Sequence, residues 1–451
     1  MPAVCLCYVI HENYNLRHYT VFDIGHNSLY EDDDLNGNLL LHNARYCYLP
    51  MNDLLLRLIK KHGKDFKLAI SVSCTALDQF EQYAPEVMDG LKALADTGCV
   101  EFMAETGPHT LSFLYSRDEF VAQVKDHMAR IKTVFGKKPV TFRNAELVYN
   151  NDIATTLEKM GFKAVLAEGA EHVLGWRSAN YIYSPVNTSK IRLFLRNKGL
   201  SMDLSRNFRN QTWEQWPLTA EKFASWCHSL NGKADIINIF NDYHVFGLRN
   251  KAESGIFDFL AALPRAILAN KDFFFVTPAE AAKKMPSVDT IDVPQFMSWD
   301  AEGYDLTAWL GNDMQKDAIH TLYALAPRVR RLKDPVLYHD FKRLQTSEHF
   351  QYMSTKWFSH FAPDRPNPFQ SPYDAYITYM NVLGDFTMRL NALEAQKNKR
   401  PAVKTNAASV KKSTVSTADK AVAPKTRQTK KVKASEAAPT TKTRTRGKKT
   451  D

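Results

Sequence analysis

Phe142-Arg143-Asn144-Ala145-Glu146-Leu147 ends a run of β-formers, KKPVTF over residues 137–142, and leads into an amphipathic helix from Asn151 to Met160. A buried strand that delivers Arg, Asn and Glu at its C-terminal end is how an α/β barrel presents reactive groups. Loops at strand ends vary without disturbing the core, so chemistry collects there. The spacing marks Glu146 as a candidate nucleophile at the end of a strand.

Outward from this stretch, short apolar runs alternate with helical stripes. AVCLCYVI (3–10) reads as a first buried strand ending at His11, LAISVS (68–73) as a second and CVEFMAE (99–105) as a third, with Glu101 inside it and Glu105 at its end. FKAVLAEG is a fifth strand after the one at Phe142, and ADIINIF (234–240) is among the clearest buried strands, ending in Asn241-Asp242-Tyr243-His244-Val245-Phe246-Gly247. Helices are expected over Ala76 to Thr97, Asp118 to Phe135, Ala220 to Leu230 and Ile256 to Ala269. Such alternation predicts parallel βαβ units, in an α/β barrel or a doubly wound sheet. The acidic triplet Asp32, Asp33, Asp34 lies in what reads as solvated loop to about Asn43; it lacks the spacing of a cation site.

From Asp305 the pattern becomes continuously helical, is broken at Pro363, Pro366, Pro368 and Pro372, and resumes from Ala375 to about Ala395. The organisation expected is a catalytic barrel over 1–295, a C-terminal helical region over 296–396 that completes the site, and a Lys-rich tail over 397–451. Almost no large apolar residue occurs in that tail, so it cannot offset its ordering entropy and is expected to be disordered.

Charge follows the same division. The chain of 451 residues carries 59 Lys/Arg and 49 Asp/Glu, a net +10 that suggests a nucleic-acid binder. From Lys397 onward, however, 17 basic residues face Asp419, Glu436 and Asp451, a net +14; the remaining 42 basic and 46 acidic residues net −4. The basic character belongs to the tail, for which loose contact with polyanions is the expected partner chemistry. Six scattered cysteines form no CxxC pair, and several lie in apolar runs, as buried free thiols do in a reducing compartment. AVCLCYVI lacks the basic start and cleavage site of a signal peptide, and no apolar run is long enough to span a bilayer. A cytoplasmic enzyme with no membrane contact is expected.

Two carboxylates at the ends of different strands, Glu146 and Asp242, are the pair that glycoside hydrolysis needs: one attacks the anomeric carbon and the other protonates the leaving oxygen. Strand-end acids also cap helices, so spacing alone leaves both readings open. His11, Glu101, Glu105, His109 and Arg143 should converge on the same face if the strand order holds. Trp176, Trp299 and Trp309 are candidate aromatic platforms for sugar rings, although a tryptophan is more often core than platform.

Five regions in order then resemble the retaining α-glucan enzymes of glycoside hydrolase family 57, in particular its α-amylase-type members. They are the strand ending in His11-Glu12-Asn13; Gly98-Cys99-Val100-Glu101 with Glu105-Thr106 and His109-Thr110-Leu111; Phe142 to Glu146; Asp242 to Gly247; and Ser298-Trp299 with Asp305 to Asn312 and Gln315. The resemblance covers about residues 1 to 395. It implies an incomplete (β/α)7 barrel with a helical C-terminal region and no catalytic metal or cofactor. It also makes Glu146 the nucleophile and Asp242 the general acid/base of a double displacement on α-1,4-glucans. A retaining pair stands about 5–5.5 Å apart. His11 and Glu101 are then expected to hold sugar hydroxyls, with Trp299 or Trp309 flanking the ring. Three departures stand out, most of them around the acid/base: Glu12-Asn13 replaces Gln-Pro, His244 stands where many members have Glu, and Leu248-Arg249-Asn250 replaces Glu-His-Gln.

Water as the final acceptor gives hydrolysis, whereas a glucan hydroxyl gives 4-α-glucanotransfer or branching. Two rivals differ in kind. A metal-dependent polysaccharide deacetylase on a related barrel would need clustered ligands such as HxxxH, which the sequence lacks. A non-catalytic glycan-binding protein would bind glucans without releasing product.

Overall fold

The computed structural model describes residues 1–299, 303–356 and 367–399. Its strands are β1 (Ala3–Ile10), β2 (Leu68–Val72), β3 (Val100–Met103), β4 (Thr141–Arg143), β5 (Ala164–Glu168), β6 (Ile182–Pro185), β7 (Arg192–Arg196), β8 (Ile236–Asp242), β9 (Phe274–Phe275) and β10 (Asp289–Ile291). β3, β2, β1 and β8 pair in parallel in that order, and β9 also pairs with the start of β1. β4, β5 and β7 form a second parallel set, extended by β6, antiparallel to β7, and by β10.

The two sets meet at thin seams. Ala104 donates its N–H to Thr141 O and accepts from Arg143 N, each at 2.9 Å, which joins β3 to β4. Asn197 N donates to Asn238 O at 2.8 Å, and Asn238 Nδ2 donates to Leu195 O at 2.9 Å, which joins β7 to β8. The ring β1-β2-β3-β4-β5-β7-β8 is therefore an incomplete (β/α)7 barrel. All seven C-terminal strand ends open on one face.

Side-chain alternation along β1 shows why this sequence closes a barrel. Val4, Leu6, Tyr8 and Ile10 point outward under the helices, while Ala3, Cys5 and Cys7 point inward with Ala69, Ala164, Leu166, Phe194 and Phe240. Along β1 the larger residues cover the outside and the smaller ones face inward. Both faces of the strand are buried, so the run reads as continuously apolar. Each large outward side chain contributes roughly 1.5–3 kcal/mol on burial.

The C-terminal helices Asp313–Leu332, Pro335–Leu344 and Pro372–Lys399 share a core with Phe142, Val165 and Leu193 on the outer face of β4, β5 and β7. The Lys-rich segment from residue 400 onward lies outside the described residues.

Three local expectations are corrected. Asp33–Asn43 is helical rather than loop, because Asp32 accepts from Leu35 N as its N-cap; its apolar residues form no stripe that a periodicity reading could find. The helix expected over Ala76 to Thr97 is two helices, Cys74–Tyr83 and Pro85–Asp96, since Pro85 cannot continue the first and suits the first turn of the second. The last helix starts at Pro372 and reaches Lys399, past the boundary expected at 396.

Candidate active site

Glu146 leaves β4 in a short turn, Ala145–Leu147, in which both Glu146 (φ 54°) and Leu147 (φ 50°) are left-handed. Such backbone costs a non-glycine residue about 1–2 kcal/mol and persists only where the surroundings hold it. Here they do. Trp299 Nε1 donates to Glu146 Oε2 at 2.7 Å, and Trp299 N donates to Glu146 O at 3.2 Å. Reciprocal backbone bonds between Tyr149 and Met297 bring the Trp299 segment to this place.

The other carboxylate oxygen, Oε1, faces Ser347 Oγ at 3.1 Å and His109 Nε2 at 3.4 Å. Ser347 Oγ also lies 3.2 Å from Glu348 Oε2, so its single proton serves either carboxylate. Ser347 N donates to His109 O at 3.1 Å, and Thr110 pairs with Thr346, which plants the C-terminal segment in the site.

His109, itself at φ 59°, is buried between two acids, with Nδ1 3.6 Å from Glu105 Oε2 and Nε2 facing Glu146. At 3.6 and 3.4 Å these are charge contacts at close range rather than well-formed hydrogen bonds. Burial alone would push the imidazole down, but Glu105 and Glu146 more than offset it and raise its pKa to about 9. Glu105 shows the reciprocal effect. Burial disfavours its charge, yet His109, Arg143 and His127 hold it down at about 2. Ser71 Oγ donates to Glu105 Oε2 at 2.8 Å, and Arg143 Nη1 stands 3.4 Å from the same oxygen.

Arg143 is buried, its guanidinium 5.1 Å from the ring centre of Trp299, and the Arg196 guanidinium stands 5.8 Å from that ring. Arg196 donates to Glu168 Oε2 at 2.9 Å and through Nε to Phe240 O at 3.0 Å. Two cations therefore flank the indole that holds Glu146, and one of them also grips the strand carrying Asp242.

Asp242 ends β8 opposite Val9 of β1, two residues before His11. Its carboxylate is less deeply buried than Glu146, with Arg249 Nη2 at 3.8 Å. His11 joins the two sides. Its ring stacks on His109 at 4.0 Å, while Nδ1 meets Ser73 Oγ at 2.8 Å and Nε2 meets Glu348 Oε2 at 3.1 Å.

His11, His109 and Glu348 offer atoms within 4.8 Å of one another, close enough to suggest a metal site. The ring geometry argues otherwise. Imidazole lone pairs lie in the ring plane, and these rings are stacked within 13° of parallel. An ion in the plane of one would stand well out of the plane of the other, far from the ~2.0–2.1 Å in-plane bond that zinc makes to histidine.

The structure thus brings together His11, His109, Arg143, Glu146 and Trp299, and sets Asp242 at the end of the strand beside His11. Three expected residues are placed elsewhere. Glu101 accepts from Thr141 Oγ1 at the start of β4 and from Ala279 N at 2.8 Å. It caps the helix Pro278–Lys284 below the reactive face instead of meeting a sugar. Trp309 is 2% exposed in the core beneath the C-terminal helices, and Trp176 is 92% exposed on the loop after β5. Core packing claims the first and solvent the second.

Glu168, Arg196, Ser347 and Glu348 are site residues that the sequence reading did not single out. Glu168 and Arg196 end buried strands, the same signal that marked Glu146. Ser347 and Glu348 open a helix and carry no comparable mark.

Comparison with known proteins decides the family. The profile of Glycosyl hydrolase family 57 matches residues 7–294. The chain belongs to this family. It is a glycoside hydrolase by that membership. A protein of Methanocaldococcus jannaschii named "Putative alpha-amylase" is 37% identical over 379 residues, covering 81% of this chain and 80% of that protein. Among solved structures, the family 57 branching enzyme of Thermococcus kodakaraensis superposes with a TM-score of 0.65 at 16% identity, over 88% of this chain and 92% of that one. The 4-α-glucanotransferase of Thermococcus litoralis gives 0.57 at 14% identity, over 77% of this chain; the family 57 chain spans just over half of it, 56%. At these identities the structural likeness speaks for the fold. Among the described residues, no helix is long and apolar enough to cross a membrane.

Proposed function

We propose that this protein cleaves α-1,4-glucans with retention of anomeric configuration, Glu146 acting as nucleophile and Asp242 as general acid/base. The observation that carries the reading is the presentation of Glu146 on left-handed backbone at the end of β4, with both carboxylate oxygens addressed by Trp299, Ser347 and His109.

In the first step the Asp242 carboxyl proton moves to the glycosidic oxygen as the C1–O bond breaks. A Glu146 oxygen bonds to C1 from the opposite side, so an α-linked glucan gives a β-glycosyl ester. In the second step Asp242 takes a proton from water, the water oxygen bonds to C1, and Glu146 departs as a carboxylate. Donors already aimed at Glu146 stabilise that departing charge without reorganising. Arg143 Nε and Nη2 are buried without a protein acceptor among the described residues, and they are candidates to meet sugar hydroxyls once a glucan is bound. Six free thiols suit the cytoplasmic setting expected for such an enzyme. For the basic tail, loose polyanion contact is the proposed role.

Incubation with maltooligosaccharides and soluble starch, followed by product sizing and proton NMR of the first anomer released, tests the reading. Shorter products appearing first as α-anomers are expected. β-Anomers would assign an inverting reaction, and binding without any product would assign a glycan-binding protein. Longer or 1,6-linked products would make transfer or branching the main outcome on the same two carboxylates.

A further inference from the structure

Beside Asp242, and away from the groups that hold Glu146, lies a polar cluster to which the mechanism so far gives no task. Glu12 follows His11 at the end of β1, and His244 follows Asp242 by two residues at the end of the neighbouring β8. The parallel register that sets Val9 against Asp242 carries both residues to one place. Tyr48, fully buried on the segment Ala44–Tyr48, reaches up between them. Its hydroxyl lies 2.5 Å from Glu12 Oε1 and 2.6 Å from His244 Nε2, and His244 Nε2 is itself 3.2 Å from Glu12 Oε1. Asn43 Nδ2 donates to the same Glu12 oxygen at 2.8 Å.

One proton order satisfies these short contacts: His244 Nε2–H donates to the tyrosine oxygen, and the tyrosine hydroxyl donates to Glu12. Glu12 Oε1 is then saturated, and burial, which would raise its pKa, is outweighed by His244, Tyr48 and Asn43, so that it stays ionised. Tyr48 cannot swing away, because its ring packs against Phe80 at 5.0 Å and Tyr243 at 6.0 Å.

What the clamp leaves over is informative. Glu12 Oε2 and His244 Nδ1 make no hydrogen bond to a described residue. The two side chains keep 12% and 20% of their exposure, so these atoms are neither lost in the core nor free to wander. A fixed carboxylate acceptor beside a fixed imidazole nitrogen suits adjacent hydroxyls of a sugar ring.

Position then says which sugar. The oxygen that Asp242 protonates leaves with the sugar on the far side of the cleaved bond, so groups beside Asp242 and away from Glu146 meet that sugar. Resting on the α-glucan reading above, we infer that Glu12 and His244, clamped by Tyr48, form the subsite for the leaving sugar. By microscopic reversibility they bind the acceptor sugar as well. The class of ligand is a glucose unit presenting hydroxyls to Glu12 Oε2 and His244 Nδ1. Occupancy of this subsite sets how often a glucan hydroxyl, rather than water, resolves the glycosyl-enzyme.

The test compares two donors on the full-length protein. Maltoheptaose needs a sugar in this subsite, whereas α-maltosyl fluoride expels fluoride and needs none. In E12Q, H244Q and Y48F, kcat/KM should fall at least about tenfold further on maltoheptaose than on the fluoride, the size expected for losing one hydrogen bond to a charged group. The fraction of fluoride-derived intermediate transferred to added maltose should fall with it. Y48F removes only a hydroxyl and keeps the ring packing, so it reports even if E12Q fails to fold. Equal losses on both donors, with maltose transfer unchanged, would overturn the subsite. A wild-type protein inactive on both donors would overturn the α-glucan reading, and the subsite with it.

Discussion

The two carboxylates stand in opposite surroundings. Glu146 is held on strained backbone by an indole N–H, a hydroxyl and an imidazolium, and the indole in turn is flanked by Arg143 and Arg196. Asp242 sits on regular strand, less buried, with a cation no nearer than 3.8 Å among its described ion pairs. The contrast fits the division of labour proposed for them. A nucleophile must arrive at one carbon from one direction, so rigidity serves it. A general acid/base must release one molecule and admit another, so a less enclosed setting serves it.

The largest effects should fall on the carboxylates themselves and should differ in kind. Glu146→Gln should lower kcat on maltooligosaccharides by at least about 10⁴-fold, since no other group can form the ester. Asp242→Ala should cost about 10²–10⁴-fold, the usual worth of a general acid/base. Added azide should partly rescue the alanine variant on an activated donor, because removing the carboxylate leaves space for a small anionic nucleophile. Steady-state rates with and without azide check both, and equal rescue of the two variants would erase the contrast.

Next come the groups that hold Glu146. Trp299→Phe keeps the ring between its cations but removes the N–H, and Ser347→Ala removes one hydroxyl. A hydrogen bond to a charged group is worth about 1.5–3 kcal/mol, so each variant should lower kcat by roughly 10- to 100-fold. KM should change little, which distinguishes loss of nucleophile support from loss of binding.

His109 predicts a pH effect on stability. Its pKa is raised in the folded protein to about 9, from an unfolded value near ~6.5. Between these limits the folded state binds more protons than the unfolded one, so stability falls as pH rises. The contribution is complete below about pH 6.5 and gone above about pH 9. Thermal unfolding across that range should show His109→Gln less stable than the wild type at pH 6.5 and closer to it at pH 9.5. Parallel curves would refute the charge bridge. The smallest effect belongs to the exposed tryptophan: Trp176→Ala should leave Tm and maltoheptaose kcat/KM within about twofold or a few degrees, as for surface changes generally.

The same contrast explains what the sequence made legible. Continuous apolar runs such as Ala3–Ile10 and Ile236–Asp242 announce parallel strands buried on both faces, and the polar residue that ends each run is the residue that reaches the site. Glu146, Asp242 and His11 can be picked out as strand-end candidates on those terms. Glu101 departs from that pattern: it lies inside its strand, level with Cys7 and two residues below Asp242, where it accepts from Thr141 and Ala279. Ser347 and Glu348 were beyond reach for another reason. They arrive more than two hundred residues after Glu146, at a helix start whose local pattern is ordinary, and the pairing of Thr110 with Thr346 and of Ser347 N with His109 O brings them in. Tryptophans were the least legible, since the same side chain serves as holder at Trp299, core at Trp309 and exposed surface at Trp176.

The central claim, that Glu146 forms the glycosyl ester, is tested most directly by trapping it. A 5-fluoro-α-glycosyl fluoride slows hydrolysis of the intermediate, and proteolysis with mass spectrometry then locates the sugar. The account predicts one glycosyl group on the peptide that carries Glu146, absent from Glu146→Gln. A label on another residue, or turnover of maltooligosaccharides by the Gln variant at the wild-type rate, would contradict it.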